Sequence, residues 1–132
     1  MDSKQGGLGR LIRWLGYEFY LSYKFIESDT NAIFMSPAAA IGSCITLNKL
    51  DTIWSTLIFS AASSWLLLYS HAVGNQYEGY EEDCLNKKGR PLPRKLVTME
   101  SMPKRIVLVA MAWNLFGWYF GTSTFTIGWS IT

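Results

Sequence analysis

Charged residues are scarce in this chain of 132 residues, because Asp, Glu, Lys and Arg together make up only 17% of it. A soluble domain usually carries about 25% charged residues. The net charge of +2 is also small, so we expect no nucleic acid partner. Apolar residues reach 49% and aromatic residues 15%, with six Trp, a surplus typical of chains that border a membrane.

Cysteine and histidine are rarer still, with two Cys and one His in the whole chain. Cys44 and Cys84 lie far apart, so they form neither a CxxC pair nor a zinc-type spacing. We therefore expect both thiols to be inert. The first apolar residues are interrupted by charged ones, so the N-terminus does not resemble a cleavable signal peptide.

Three long uncharged stretches predict an all-α integral membrane protein, folded as a transmembrane helical bundle. A helix needs roughly 20 mostly apolar residues to cross a bilayer. The predicted spans are about 30–48, 53–74 and 106–121, and a fourth helix is predicted to begin at 124–132. The stretch at 53–74 is the strongest of them, whereas Pro37 weakens the first.

Basic residues gather in two segments, the N-terminal residues 1–29 and the loop 75–105, while Lys49 alone lies in the link between the first two spans. The positive-inside rule places both segments in the cytosol. We expect a multi-pass protein of an endomembrane with the lipid bilayer as a partner. Within 1–29, apolar residues such as Leu8, Leu11 and Leu15 have near-helical spacing. This segment is either a helix on the membrane surface or a partly ordered tail.

The loop opens on the stretch NQYEGYEEDCLNKKGRPLP, residues 75–93, which mixes acidic and basic residues. If the second helix continued into it, about 100° per residue would bring Asn75, Glu78, Glu82 and Asp83 to one side. Carboxylates on one face repel one another unless a cation lies between them, and Mg²⁺ accepts such oxygen ligands. The basic residues that follow could bind an anion. The alternative is a solvated loop on a non-catalytic membrane scaffold or interaction protein, or a degenerate remnant.

The string NQYEGYEEDCLNKKGRPLPRKLVT resembles the first aspartate-rich motif of the UbiA superfamily of intramembrane prenyltransferases. It is closest to the fungal-type branch, which includes UbiA-type terpene cyclases. The usual pattern is Asn-Asp-x-x-Asp-x-x-x-Asp, followed by an Asn-Lys region and Arg-Pro-Leu/Ile-Pro. Asn75 and Asp83 match the first and last residues of the motif. Gln76 and Gly79 depart from it, each standing where Asp is usual.

The resemblance implies a Mg²⁺-dependent enzyme that ionises a prenyl diphosphate, either for prenyl transfer to an unknown acceptor or for cyclisation to a terpene. His71, one helical turn before the motif, is a weaker candidate for a base. The implied Mg²⁺ ligands are Asn75, Glu78, Glu82 and Asp83, and the implied diphosphate ligands are Asn86, Lys87, Arg90 and Arg94.

The resemblance covers only the N-terminal portion of the family's bundle, its first three to four helices, and no Asp or Glu follows Arg105 in this sequence. Family members carry a second aspartate-rich motif, so we expect a truncated chain that holds half of the site. We predict that this chain alone, given geranyl, farnesyl or geranylgeranyl diphosphate and Mg²⁺, yields no product in a turnover assay. Product formation by the 132-residue chain would contradict this expectation.

Overall fold

The computed structural model describes residues 6–120, and within them every regular element is a helix, with no strand. The predicted all-α class is confirmed for this range. Short 3₁₀ turns precede α2, α3 and α5, at Glu27–Asp29, Leu50–Thr52 and Met99–Ser101. The predicted fourth helix at 124–132 lies outside the described residues. The helices are α1 (Gly6–Ile26), α2 (Thr30–Thr46), α3 (Ile53–Glu78), α4 (Tyr80–Asn86) and α5 (Met102–Tyr119).

Helices α2, α3 and α5 coincide with the three predicted spans. Within residues 6–120, one helical segment is long and apolar enough to cross a membrane, namely the 29 residues Leu50–Glu78. It contains the stretch that the sequence marks as the strongest span. Helices α2 and α5 are shorter, with 17 and 18 residues. A multi-pass arrangement therefore stays a prediction.

A tight turn after α2 reverses the chain into α3. Asn48 adopts a left-handed conformation with φ of 53°, which Asn tolerates better than most residues with a side chain. The Asn48 N–H donates to the Ile45 carbonyl at 3.1 Å, and the Lys49 N–H donates to the Cys44 carbonyl at 2.8 Å. These two hydrogen bonds form a Schellman C-cap, which gives partners to carbonyls in the last turn of α2. The short link predicted between the first two spans thus has a defined geometry.

The C-terminal half of α1 docks on α3 and supplies much of the core. Leu21 and Ile26 are fully buried and Phe25 is 1% exposed, in one cluster with Val73 of α3 and Met102 of α5. The N-terminal half of α1 is exposed, with Leu8 at 70%. Of the two alternatives for this segment, the structure has the helix, and its contact with a membrane stays a prediction.

Polar side chains tie α1 to the other helices. Arg105 of α5 donates from Nη1 to Glu18 Oε2 at 2.6 Å and to the Tyr69 hydroxyl at 2.8 Å, which joins α1, α3 and α5. Burial acts to lower the pKa of Arg105, but the hydrogen bond to Glu18 and the contacts with Tyr69 raise it overall, so the guanidinium stays charged. Gln76 Nε2 donates at 3.0 Å to the carbonyl of Phe25, near the end of α1. That bond satisfies one of the carbonyls that a helix end leaves without a partner.

We predict that Leu21→Ala lowers the free energy of unfolding by about 2–5 kcal/mol, the usual cost of removing a fully buried leucine side chain. Leu15→Ala, on the same helix but at a side chain that is 52% exposed, should cost less than about 1 kcal/mol. Chemical denaturation followed by circular dichroism measures both. Equal effects of the two substitutions would show that α1 is not docked in solution.

Candidate functional site

The acidic segment begins where α3 gives way to α4 at Gly79. The Gly79 N–H donates to the Asn75 carbonyl at 2.9 Å, and the Asp83 N–H donates to the Gly79 carbonyl at 2.9 Å, so helical bonding passes through the break. A Cβ atom at Gly79 would lie 3.1 Å from the Asn75 carbonyl oxygen, tighter than ordinary contact. The second helix extends four residues beyond the predicted span, to Glu78, and its regular geometry is interrupted at Gly79.

Asp83 lies under the turn that follows α4 and is only 2% exposed. Its two carboxylate oxygens both accept hydrogen bonds from Arg90 Nη1, at 2.9 Å and 2.7 Å. Lys87 Nζ is 3.7 Å from Oδ1 of the same carboxylate. Backbone bonds from Lys87 to Asp83 and from Arg90 to Lys87 close the turn and bring Arg90 back over α4. A buried carboxylate needs such partners, because an isolated buried charge is strongly unfavourable.

A cavity of about 340 Å³ lies between the end of α1 and the turn after α4. The first segment gives it Lys24, Phe25, Glu27 and Ser28, and the second gives it Lys87, Gly89 and Arg90. Three basic side chains and one acidic side chain therefore line the same space. Such a cavity favours an anion with several oxygen atoms, since Arg grips these in pairs and Lys acts as a point charge.

Lys24 is held at the cavity by its neighbour Glu27. The Lys24 Nζ donates to Glu27 Oε1 at 2.6 Å, and this hydrogen bond raises the pKa of Lys24 above its ordinary value. The sequence does not mark Lys24 as a site residue, because it lies far from the motif and carries no local signal besides its charge.

Of the predicted diphosphate ligands, Lys87 and Arg90 both line this cavity. Asn86 and Arg94 are exposed and are not among the residues that line it. His71 is exposed on α3 and does not line the cavity either. The structure therefore brings two of the predicted residues together and adds Lys24 to them.

The predicted Mg²⁺ ligands do not converge. Asp83 is buried and bound to Arg90, whereas Asn75, Glu78 and Glu82 are exposed. Within residues 6–120, no group of three or more His, Cys, Asp and Glu side chains is placed to hold a metal ion. In this arrangement these residues do not fit a Mg²⁺ site. The set Asn75, Glu78, Glu82 and Asp83 is therefore not confirmed as a group of metal ligands and stays a prediction.

The chain is similar to somaliensene A/B synthase of Streptomyces somaliensis, with 27% identity over 116 residues. The alignment covers 86% of this chain and 39% of that protein, so this chain spans about two fifths of the length of its relative. No protein-family model matches the chain. No solved structure matches it either. An identity of 27% shows that the chain is similar to this synthase, but it does not show that the chain belongs to a family.

We predict that Glu27→Gln lowers the pKa of Lys24 toward its ordinary value, because the substitution removes the charged partner of the ammonium group. An NMR titration of lysine side chains labelled at Cε measures the shift. Asp51→Asn is the matched control, since Asp51 precedes α3 at the end opposite α4. A pKa of Lys24 that Glu27→Gln leaves unchanged would show that the pair does not form in solution.

Proposed function

We propose that this chain forms the diphosphate-binding part of an enzyme that ionises an isoprenoid diphosphate and converts it to a terpene. The observation that carries the proposal is the cavity where Lys24, Lys87 and Arg90 meet. The similarity to somaliensene A/B synthase supports terpene-related chemistry. The motif at residues 75–98 supports a place in the UbiA superfamily.

In the proposed reaction, the bond between the allylic carbon and the diphosphate oxygen breaks, and its electron pair stays on the diphosphate. Negative charge therefore grows on the leaving group in the transition state. Fixed cations stabilise such charge most when they are already in place. Lys24 and Lys87 would act as point charges and Arg90 as a fork of N–H donors. Glu27, by its hydrogen bond, holds the Lys24 ammonium group at the cavity.

The allylic cation that remains would react with its own double bonds in a cyclisation, or with an acceptor in a prenyl transfer. Phe25 is the aromatic residue among those that line the cavity, but it is only 1% exposed, so its ring offers no open face to the cation. Mg²⁺, which the motif implies, is not assigned a role in the proposed reaction. Within residues 6–120, no group of three or more His, Cys, Asp and Glu side chains is placed to hold it.

We also propose that α2, α3 and α5 cross the bilayer, with the cavity at the cytosolic end of the bundle. The two basic segments identified in the sequence meet at this cavity, since Lys24 belongs to one and Lys87 to the other. Their proximity supports the predicted topology, in which both lie on the same side of the membrane. The diphosphate, a strongly hydrated anion, would then reach its site from water.

We predict that Lys24→Gln weakens the binding of inorganic pyrophosphate about tenfold, the usual effect of losing one charge-assisted hydrogen bond of about 1.5 kcal/mol. Isothermal titration calorimetry on the full chain in mild detergent measures the dissociation constant. The control is Lys49→Gln, which removes the same charge from the exposed link between α2 and α3.

A farnesyl thiodiphosphate, which ionises poorly, should bind more tightly than pyrophosphate because its apolar tail also leaves water. Equal binding of the two ligands would argue against an isoprenoid substrate. Equal effects of Lys24→Gln and Lys49→Gln would place the anion outside this cavity.

A further inference from the structure

Asp83 contacts Arg90 through only one nitrogen of the guanidinium. Both hydrogen bonds to the carboxylate come from Nη1 of the guanidinium. Arg90 keeps 24% of its side chain exposed and lines the cavity, while the Asp83 side chain is 3% exposed and is not among the residues that line it. Arg90 therefore contacts both the carboxylate and the cavity, whereas Asp83 is not part of the cavity lining.

From this geometry we infer that Asp83 is a positioning residue, which holds Arg90 in place for the anion, rather than a ligand of a metal ion. The inference rests on the proposed function. An arginine side chain has many rotamers, and ordering it during binding weakens affinity. A buried carboxylate that fixes one nitrogen of the guanidinium orders the side chain beforehand. The other nitrogens of the guanidinium can then meet the diphosphate.

The surroundings of Asp83 favour this role over metal binding. Both of its oxygens already accept hydrogen bonds, and the second nearby charge, Lys87 Nζ at 3.7 Å, is also a cation. A metal ion at Asp83 would lie beside the guanidinium of Arg90 and near the ammonium of Lys87, and both cations would repel it. Within the described residues, Asp83 belongs to no group of three or more His, Cys, Asp and Glu side chains placed to hold a metal ion.

Charge and position act in opposite directions here, which makes the inference testable. The negative charge of Asp83 repels an anion, so its removal alone would tighten pyrophosphate binding. Loss of the hydrogen bonds that hold Arg90 would weaken it. A variant that neutralises Asp83 therefore shows which effect is larger.

The test is the binding of inorganic pyrophosphate to the full chain without Mg²⁺, measured by titration calorimetry. Asp83→Asn should weaken binding about five- to tenfold, because Arg90 is no longer fixed. The control is Glu81→Gln, which removes the same charge from an exposed position of α4 and should change affinity less than twofold. In an Arg90→Lys background, Asp83→Asn should no longer weaken binding, since no guanidinium is left to position.

A second measurement does not depend on Asp83→Asn folding. In the wild-type chain, NMR of the arginine side chains should show slow rotation of the Arg90 guanidinium, with separate Nη signals, even without pyrophosphate. Averaged Nη signals in the wild type would overturn the inference.

Three binding results have distinct meanings. Weakening by Asp83→Asn, but not by Glu81→Gln, supports the inference. Unchanged or tighter binding of Asp83→Asn without Mg²⁺, together with loss of any Mg²⁺-dependent gain, assigns Asp83 to a metal and overturns the inference alone. A wild-type chain that does not bind pyrophosphate, with or without Mg²⁺, overturns the proposed function and the inference with it.

Discussion

The burial of three apolar side chains at the end of α1, Leu21, Phe25 and Ile26, determines where the charged groups of this protein lie. These residues pack against Val73 of α3, and Lys24 stands among them in sequence with its side chain directed to the cavity. Because the helix is docked by its apolar residues, the backbone position of Lys24 does not depend on the attraction between charges, and Glu27 then holds its ammonium group. That matters here, since Lys24, Lys87 and Arg90 repel one another until an anion lies between them.

The acidic residues that were predicted to share one helical face lie in different surroundings in the structure. Asp83 is buried and neutralised by Arg90, whereas Glu78 and Glu82 stay in contact with solvent. Both arrangements avoid the free-energy cost of burying an unpaired charge. The break at Gly79 lies between Glu78 and the other two acids, so regular helical phasing from α3 does not carry over unchanged into α4.

Local patterns in the sequence are enough to locate α2, α3 and α5, whereas they leave α1 open between a helix and a partly ordered tail. The stretch at 53–74 follows α3 closely because hydropathy and helical length are properties of neighbouring residues. The motif likewise indicated Lys87 and Arg90, which both reach the cavity. Lys24 and the pairing of Asp83 with Arg90 were not predicted. The first depends on which helices pack together, and the second depends on how the turn after α4 folds back. Hydrophobic periodicity along the sequence carries no information about either.

The bond between Glu18 and Arg105 joins residues that are 87 positions apart, which has a consequence for biosynthesis. At a translation rate of about 5–20 residues per second, roughly 4–17 s separate the appearance of the two partners. During that interval α1 exists without its partner on α5, and the turn that completes the cavity has also only just been made. Helix α1 can already pack on α3 during that interval, because α3 is complete before α5 is made, so the order of synthesis sets the order in which this bundle can close.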